Sequence, residues 1–582
     1  MALKSPGLSI MHYEPSVSLW RRFAPLLDKY FLVLCLSLIG LACARVISTY
    51  NALSLTVDEP AHFACGLEYL AEHVYLLEPQ HPPLPRMMVA LAPYAVGSRP
   101  LGLPSGQEGL AVIARSGDVN RTIFLMRLGT LPFFFLACLV VCVWSAHSFD
   151  RATAVVATAL FTLLPTILAD AGMATTDMAL GATVGMAFLA TLLWAEKPTV
   201  LRSMMLGFSS ALAFLSKFTA LGYLPAADIL ALATYLTAHW PGWKGLGRIA
   251  ARRAAPLTLA AATACLAIWA AYWFSFGPFQ TNWVSSGHLN LPAPAFFEGI
   301  RQALGHNRRG HEAYLLGEFR MSGWWYYFPV ALAVKTPIAF LLLLALGVFV
   351  CLQQRARSAQ LLPLAFSLGI LAPAMKSHID VGVRHVEPIY IGFAIVAALG
   401  VRQLLEWARA KRAGALAACA LVSWMVISVA GCHPDYLAYF NAFACKNPEE
   451  VLVDSNYDWG QDMKFLATRL RRLGVKQFYL AELDGVYRAD YLEAWYGLPT
   501  IREVDTCSPM PGWNVVGATF AKSARFVVYG LSMPRPWYED APATERLGPL
   551  RLYYIPPGAE LSKGKCPLPD RLQALHGFVN PR

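Results

Sequence analysis

Long apolar runs, repeated along the chain, constrain its fold more than any other feature of the sequence. A helix needs about 20 residues to cross about 30 Å of hydrocarbon. Runs close to that length lie at 31–48, 123–146, 153–169, 178–195, 203–217, 219–238, 255–276, 326–351, 360–375, 388–405 and 414–431. We therefore predict an all-α polytopic membrane protein with about 11 transmembrane helices.

The composition excludes several classes of protein. Hydrophobic residues make up 56% of the chain and charged residues only 15%, whereas a soluble domain carries about 25% charged residues. An ordinary soluble enzyme, a disordered chain and a coiled coil are therefore excluded. The net charge is +11, and the excess Lys and Arg residues lie between the apolar runs. In this position they indicate the orientation of the chain in the membrane and not binding to nucleic acid.

Basic residues in alternate short loops predict how the chain is oriented, because cytoplasmic loops are enriched in Lys and Arg. The loops marked in this way contain Arg21, Arg22, Lys29, Arg151, Lys197, Arg202, Lys244, Arg248, Arg252, Arg253, Arg355, Arg357, Arg402, Arg409, Lys411 and Arg412. We predict a protein of the bacterial inner membrane, with a cytoplasmic N-terminus and a periplasmic C-terminus. The first run is interpreted as an anchor that is not cleaved.

The predicted topology gives two domains. A transmembrane domain spans 1–431, with long outside loops at 49–122 and 277–325, and a small periplasmic domain spans 432–582. In the second domain the pattern predicts a helix over 459–473 and strands over 476–481, 513–520, 525–530 and 550–555, which is typical of an α+β unit. Disulfides are permitted in this compartment for Cys432, Cys445, Cys507 and Cys566, and their pairing stays open.

Two adjacent carboxylates, Asp58 and Glu59, follow the first apolar run, and His62 comes shortly after them. Such charges at a membrane surface are costly unless they are solvated or used in function. The alternative is an ordinary helix start, with Asp58 as the cap before Pro60 and Glu59 in the first turn. Both interpretations stay open on these residues alone.

The same loop carries His81 and Arg86 in the proline-rich segment 78–86, EPQHPPLPR. The prolines stiffen the backbone and fix the directions of both side chains. His and Arg can each donate hydrogen bonds to a phosphate. The alternative is a rigid turn that opens an interfacial helix, with Arg86 extended toward the lipid headgroups.

Two further acids, Asp170 and Asp177, lie in the small-residue turn DAGMATTD after the third apolar run. They predict a polar pocket at the outer end of the third and fourth spans. Capping of the next helix by Thr175, Thr176 or Asp177 is an equally simple explanation for each residue.

Basic residues also lie on the predicted outer face, against the charge rule for orientation. They are Lys217, Arg301, His306, Arg308, Arg309, His311, Lys335, Lys376, His378, Arg384 and His385. A bound anion would explain them, and phosphate fits their chemistry. Alternatively, Lys217 and Lys335 extend to the headgroups. Arg384 and His385 would then form a surface charge cluster with their acidic neighbours Asp380 and Glu387.

The order of these motifs resembles the protein O-mannosyltransferase-like branch of the GT-C membrane glycosyltransferases, a group that includes relatives of the lipid A aminoarabinose transferase. The shared features are an Asp-Glu pair after the first span, Pro-Pro-Leu at 82–84, Thr-Thr-Asp at 175–177 and an odd number of spans before an outside tail. The tail segments HPDYLAYFN at 433–441 and DSNYDWGQD at 454–462 also resemble bacterial members.

This resemblance implies a transferase that moves a sugar from a polyprenyl monophosphate carrier to an extracytoplasmic acceptor, with inversion at the reacting sugar carbon. The acceptor would be a protein hydroxyl, a lipid or a polysaccharide. By motif, Asp58 matches the catalytic acid of the first loop, Glu59 its neighbour and Asp177 the acid after Thr-Thr, and the resemblance implies that all three are catalytic residues. Lys217 matches the lysine after the fifth span, and His81 stands where the aminoarabinose transferases carry a lysine.

In such a transfer Asp58 would take the proton of the acceptor, because an inverting displacement needs a base opposite the leaving group. Lys217, Arg384 and His385 would stabilise the charge that develops on the lipid phosphate. The other predicted substrate-binding residues are His62, His81, Arg86, Asp170, Arg308, Arg309 and Lys335. No cofactor is required, and a divalent cation held by Asp58 and Asp177 stays open.

A transporter or flippase of a lipid-linked substrate is the main alternative. It predicts internal repeats and ionisable groups at mid-membrane, and neither is evident in the sequence. A non-catalytic partner or sensor would leave Asp58, Glu59 and the basic run 301–311 without a purpose. In the tail, Trp459, Gln461 and Asp462 are interpreted as a core tryptophan and a helix-start cap.

Overall fold

The structure is a computed structural model of the chain, and it describes residues 18–280, 288–353, 358–407, 412–481, 489–504, 509–527 and 536–558. These residues form a mostly helical molecule with a small sheet near the C-terminal end. The prediction of an all-α membrane part followed by a small α+β part is confirmed.

The first 271 residues contribute thirteen of the described helices. They are α1 Leu19–Lys29, α2 Phe31–Thr49, α3 Glu59–Glu72, α4 Pro83–Ala95, α5 Ser105–Arg115, α6 Val119–Leu128, α7 Leu131–Ser148, α8 Arg151–Phe161, α9 Pro165–Ala171, α10 Asp177–Glu196, α11 Val200–Ser216, α12 Ala220–Ala238 and α13 Gly242–Ala271. The segment 276–320 follows and contains two small antiparallel pairs of strands. These strands are β1 Phe276–Gln280, β2 His288–Pro292, β3 Ala313–Leu315 and β4 Glu318–Arg320.

Six more helices complete the part of the chain before residue 433. They are α14 Pro294–Arg309, α15 Tyr327–Lys335, α16 Ile338–Gln353, α17 Ser358–Ala374, α18 Ile389–Trp407 and α19 Ala413–Cys432. A short 3-10 helix, Val383–Val386, lies between α17 and α18.

Each of the eleven predicted spans corresponds to helical structure. Seven helical segments are long and apolar enough to cross a membrane: Phe31–Thr49, Val119–Ser148, Asp177–Glu196, Ala220–Ala238, Gly242–Ala271, Ile389–Trp407 and Ala413–Cys432. Two bent pairs, α8 with α9 and α15 with α16, raise this number to nine. The remaining two predicted spans are the shorter apolar helices α11 and α17.

Prolines cause the breaks in the two bent pairs. The chain turns by 70° between α8 and α9 and by 116° between α15 and α16. The residues before Pro165 and Pro337, Leu164 and Thr336, are extended, as expected where the proline ring disfavours a helical conformation in the preceding residue.

Helices α10 and α18 lie at the centre of the molecule and position the site. Helix α10 packs against α7, α11 and α12, and α18 packs against α8, α16 and α17. Both are buried along most of their length, whereas α13 is exposed almost throughout. Because α10 starts at Asp177 and α18 follows the 3-10 helix that carries Arg384, the two central helices begin at the same polar region.

The C-terminal part contains a five-stranded mixed sheet. Its elements are α20 Met463–Arg472, β5 Gln477–Ala481, α21 Ala489–Tyr496, β6 Thr500–Glu503, β7 Gly512–Gly517, α22 Ala518–Val527, α23 Trp537–Asp540, β8 Glu545–Leu547 and β9 Leu550–Ile555. The strand order is β6-β5-β7-β9-β8. Strands β6, β5 and β7 are parallel, and β9 is antiparallel to β7 and β8.

Three of the predicted elements need correction. The strand predicted at 525–530 is wrong over residues 525–527, which end α22, and its other residues lie outside the described ranges. The strand predicted at 513–520 stops at Gly517, where α22 begins. The helix predicted over 459–473 starts only at Met463. Phe520 and Ala521 of α22 pack with apolar residues of the sheet, and a short window of sequence does not distinguish the apolar spacing of such a helix from that of a strand.

The segment between α19 and α20 packs into the helical part of the molecule. Lys335 donates hydrogen bonds from Nζ to the backbone oxygens of Leu437, Tyr439 and Asn456, at 2.7, 2.6 and 2.6 Å. The domain boundary at 431 stays a prediction, because this segment follows it in sequence but contacts the spans. Cys432 and Cys445 are free thiols, and Cys507 and Cys566 lie outside the described residues.

Candidate active site

Two carboxylates and two cationic side chains from separate parts of the chain meet at one point. Arg384 Nη1 lies 3.2 Å from Asp58 Oδ2 and 3.3 Å from Asp177 Oδ2. Lys217 Nζ lies 2.6 Å from Asp177 Oδ1. We call Asp58, Asp177, Lys217 and Arg384 the charged cluster. All four are residues for which the sequence predicted a role, and their shared location is a property of the fold.

Each member of the charged cluster comes from the end of a helix. Asp58 precedes α3, Asp177 begins α10, Lys217 follows α11 and Arg384 lies in the 3-10 helix before α18. Neither Asp58 nor Thr176, the residues at the two N-cap positions, makes a side-chain capping bond. The capping alternative for both acids is therefore wrong, because their carboxylates bind cations from other helices.

The four side chains differ sharply in exposure. The side chain of Asp58 is 39% exposed, whereas those of Asp177, Lys217 and Arg384 are 0%, 9% and 10% exposed. Lys217 therefore does not extend toward lipid headgroups, and Arg384 does not belong to a surface charge cluster. Asp58 is the acid of the cluster that a substrate can reach.

Glu59 has a different surrounding from its neighbour Asp58. Both of its oxygens pair with Arg127, each at 2.8 Å, and both side chains are fully buried. The backbone N–H groups of Thr56 and Ala174 also donate to it at 2.8 Å. Burial opposes ionisation, but the ion pair with Arg127 and these two donors keep the pKa of Glu59 below its usual value. The predicted catalytic role of Glu59 conflicts with this geometry, because no oxygen is left for a substrate.

A second polar group lies beside the charged cluster and centres on Arg86. Its guanidinium donates to Glu78 Oε2 at 2.6 Å, to the Tyr75 hydroxyl at 3.1 Å and to Nδ1 of His62 at 3.0 Å. Arg86 is fully buried, so it does not extend to the headgroups. Because Nδ1 of His62 accepts a hydrogen bond, the proton of the neutral ring resides on Nε2.

Three histidines near the charged cluster are held neutral. Burial is the main cause that lowers the pKa of His62, His81 and His385 well below the usual value. Arg86 adds to this effect for His62 and His81, and Lys217 does so for His385. His81 therefore does not replace the positive charge of the lysine that it was compared with, although its ring can still donate one hydrogen bond.

Buried acids lie behind the charged cluster. Asp170 and Glu387 are 2% and 1% exposed. Within the described ranges, Oδ2 of Asp170 and both carboxyl oxygens of Glu387 have no hydrogen-bond partner. Burial, with the negative charges of Asp170 and Asp177 nearby, raises the pKa of Glu387 well above its usual value. Glu387 is therefore an interior group whose surroundings favour the protonated form, and it is not part of an exposed charge cluster.

Three predicted phosphate ligands lie elsewhere. Lys335 is buried, and its Nζ donates three hydrogen bonds to backbone oxygens of the segment that follows α19. It therefore joins two parts of the fold and does not extend to the headgroups. Arg308 and Arg309 are exposed at the end of α14. Among the described residues, neither contacts the charged cluster through an ion pair.

Sequence reasoning missed the partners that hold the site together. Arg127 was hidden because an arginine near the start of a span resembles an orientation signal. Ser455 and Asn456 lie in the tail segment DSNYDWGQD. The sequence of this segment resembles bacterial members of the family but predicts no role for these two residues. Asn456 accepts from the Val383 N–H at 2.9 Å and donates to the Tyr327 hydroxyl at 2.8 Å. The segment contains many polar residues around one tryptophan, and this composition was the signal in the sequence that could have placed it at the site.

An ionisable group lies near the middle of a span, contrary to the sequence interpretation. Asp228 lies in the middle of α12, and its neighbour across the helix contact is Thr191 of α10. A single acid with a hydroxyl partner does not form the path of ionisable groups that a transporter would need. The charged cluster thus stays the better-supported location for chemistry.

The residues present do not fit a divalent cation between Asp58 and Asp177. The guanidinium of Arg384 lies between the two carboxylates, and Lys217 takes the remaining oxygen of Asp177. In the part of the chain that the structure describes, no three His, Cys, Asp or Glu side chains are grouped to bind a metal ion. Arg384 supplies positive charge at the position that such an ion would take.

We expect the stability of the protein to fall as the pH rises through the titration of Asp380. Burial raises the pKa of this carboxyl to about 6, above the value of about 3.9 in an unfolded chain. Between these values the folded state holds a proton that the unfolded state has lost, so ionisation favours unfolding. The variant Asp380→Asn should therefore gain stability relative to wild type between pH 4 and pH 8. Thermal unfolding in detergent across this range measures the gain, and a pH-independent difference contradicts the prediction.

Comparison with known proteins gives similarities in structure and none in sequence. No family model and no curated protein matches the chain. The structure is similar to the crystal structure of ArnT from Cupriavidus metallidurans bound to undecaprenyl phosphate, with a TM-score of 0.47, 12% identity and coverage of 89% of this chain and 97% of that chain. Similarity also extends to the apo oligosaccharyltransferase of Archaeoglobus fulgidus, with a TM-score of 0.42, 14% identity and coverage of 84% and 71%.

Both similar structures are glycosyltransferases of the GT-C fold. This is the fold that the order of motifs predicted from the sequence. TM-scores below 0.5 carry no information about substrate or chemistry, so the function proposed below rests on the residues of the charged cluster.

Proposed function

We propose that the chain is a membrane glycosyltransferase that moves a sugar from a polyprenyl monophosphate to an acceptor outside the cytoplasm. One observation carries the proposal: a reachable carboxylate, Asp58, lies in direct contact with a buried cation, Arg384, at the end of apolar helices. A base for the acceptor and a partner for a lipid phosphate are thereby held side by side. The motif order in the sequence supports the same reaction.

The reaction is a single displacement at the anomeric carbon of the sugar. The acceptor oxygen forms a bond to this carbon while the bond from the carbon to the phosphate oxygen breaks. Asp58 takes the proton of the acceptor hydroxyl, and the electron pair of the broken bond leaves with the polyprenyl phosphate. Attack opposite the leaving group inverts the configuration of the carbon.

Arg384 and Lys217 stabilise the phosphate as it gains charge. A guanidinium and an ammonium aimed at developing negative charge in a site shielded from water lower the barrier strongly. Asp177, buried between the two cations, fixes their positions through its two oxygens. Within the described ranges, Nη2 of Arg384 donates no hydrogen bond, so it is available to the phosphate.

The shared position of Arg384 suggests an order of binding. Its Nη1 contacts both Asp58 and Asp177, so a phosphate bound at Nη2 of the same guanidinium offsets part of its positive charge and weakens the attraction to Asp58 without moving the side chain. Loss of a cationic neighbour makes a carboxylate a stronger base. We propose that the donor binds before the acceptor, and that transfer uses Arg384 and Lys217 in place of a divalent cation.

Binding of a polyprenyl monophosphate tests the proposal directly. We expect Arg384→Gln to weaken this binding by about 10- to 100-fold, because a charge-assisted hydrogen bond contributes about 1.5–3 kcal/mol. Arg384→Lys should bind with intermediate affinity, since it keeps the charge but not the planar fork. Isothermal titration calorimetry of the purified proteins with a polyprenyl monophosphate, in detergent, gives the affinities.

Arg308→Gln is the matched control, because it removes an exposed arginine of the same outside region. Its affinity for the polyprenyl monophosphate should equal that of wild type. Equal affinity of wild type and Arg384→Gln, with both proteins folded, would show that the phosphate does not bind at the charged cluster. The proposed function would then fail.

A further inference from the structure

We propose that Trp459, from the tail segment 454–462, is a positioning residue that fixes the guanidinium of Arg384 for the lipid phosphate. The inference rests on the proposed function and adds a part of the site that the sequence interpretation assigned to the core. Its basis is that the ring of Trp459 contacts Arg384, while its backbone oxygen binds the N–H of Val57, the residue before Asp58.

The first contact is between the indole ring and the cation. Cζ of Arg384 lies 4.1 Å from the centre of the Trp459 ring, and the two residues are 8% and 5% exposed. A guanidinium this close to an aromatic face is attracted by it, more strongly where water is excluded. The ring therefore restrains the plane of the guanidinium.

Ser455 fixes the same guanidinium along a second direction. Nε of Arg384 donates to Ser455 Oγ at 3.0 Å, and this hydroxyl donates to the backbone oxygen of Val381 at 2.8 Å. The hydroxyl is thereby locked as an acceptor toward Arg384. With its plane and its Nε direction set, the guanidinium presents Nη1 to the two acids and leaves Nη2 for an anion.

The backbone of Trp459 is tied to the first outside loop. Its carbonyl accepts a hydrogen bond from the N–H of Val57 at 3.3 Å, next to Asp58, and its own N–H donates to Gln461 Oε1 at 2.9 Å. The backbone oxygen of Gln461 in turn accepts from the N–H of Ser54 at 2.8 Å. Trp459 thus holds the loop that carries Asp58 through its backbone, and it holds Arg384 through its ring.

The competing explanation is a tryptophan that only fills space. A filler acts equally whether or not Arg384 is present, whereas a positioning residue acts through Arg384. The two roles therefore predict different binding free energies for double variants of Trp459 and Arg384. If the two residues act as one unit, the effects of their substitutions on binding do not add.

The experiment measures Kd for a polyprenyl monophosphate in detergent with four variants and their combinations. We expect Trp459→Leu to weaken binding about 10-fold and Trp459→Phe to stay within about threefold of wild type, because phenylalanine keeps an aromatic face. Ser455→Ala should weaken binding by about threefold. In the Arg384→Gln background, Trp459→Leu and Ser455→Ala should change Kd no further.

Trp513→Leu is the matched control, because Trp513 packs in the C-terminal part against Tyr554, away from the charged cluster. It should leave Kd unchanged while lowering thermal stability, which separates loss of packing from loss of positioning. Should Trp459→Leu fail to fold, Ser455→Ala and Trp459→Phe in both backgrounds answer the same question.

The outcomes separate the two proposals. Suppose that Arg384→Gln weakens binding. If Trp459→Leu and Ser455→Ala then change Kd by the same factor with and without Arg384→Gln, or do not change it at all, the positioning role is overturned and the proposed function stands. No loss of affinity in Arg384→Gln overturns both. A loss that vanishes in the Arg384→Gln background supports the positioning role.

Discussion

Asp58→Asn should reduce the rate of sugar transfer by about 10²- to 10⁴-fold, the usual contribution of a positioned general base. The substitution keeps the volume of the side chain and removes the proton acceptor. It also removes one of the two carboxylates that contact Arg384, while Asp177 continues to hold the guanidinium. Affinity for the polyprenyl monophosphate should therefore stay close to that of wild type, and the loss should fall on kcat.

Turnover with a polyprenyl-phosphate-linked sugar, measured in detergent, provides the test. Glu72→Gln is the control, because this exposed acid of α3 undergoes the same loss of charge outside the charged cluster. Its turnover should match wild type. A transfer rate of Asp58→Asn within a few fold of wild type would exclude Asp58 as the base.

Glu59→Gln, one residue away, should instead lower the free energy of unfolding by about 3–5 kcal/mol, the usual cost of removing one partner of a buried ion pair. The reason is that Arg127 would remain charged and fully buried without its partner. The backbone donors of Thr56 and Ala174 would also share a single amide oxygen in place of two carboxylate oxygens.

Thermal unfolding in detergent measures this loss, again with Glu72→Gln as the control of equal chemistry on the same helix. Asp58→Asn should unfold near the wild-type temperature, so the two neighbouring acids should give opposite results in the two assays. A Glu59→Gln variant as stable as wild type would mean that the pair with Arg127 contributes nothing to the fold.

The helical framework could be predicted because a bilayer imposes a simple rule on sequence. Every backbone polar group in a span must be satisfied within the helix, so spans are long apolar runs that can be counted. Each of the eleven predicted runs is helical. The rule does not specify straightness: Pro165 and Pro337 break two of the spans, and the bend angles of 70° and 116° are known only from the structure.

The C-terminal part was predicted less well for a physical reason. Its elements are short, and a half-buried strand and an amphipathic helix of six residues have similar apolar content. Residues 525–527 are helical, although their sequence favours a strand. Strand β9 at 550–555 was predicted correctly because its six residues are rich in aromatic and branched side chains that favour strands.

For the site, the sequence by itself determined which chemical groups were available: two acids after the first and third spans, and cations on the same predicted face. It did not determine that Asp58 would be reachable and Glu59 fully paired, because adjacent residues of one helix start point in different directions. Only the tertiary structure decided that, by bringing Arg127 to Glu59 and Arg384, held by Trp459 and Ser455, to Asp58. These contacts join residues up to 326 positions apart, and pairings over such separations are set by how helices pack and not by any local pattern.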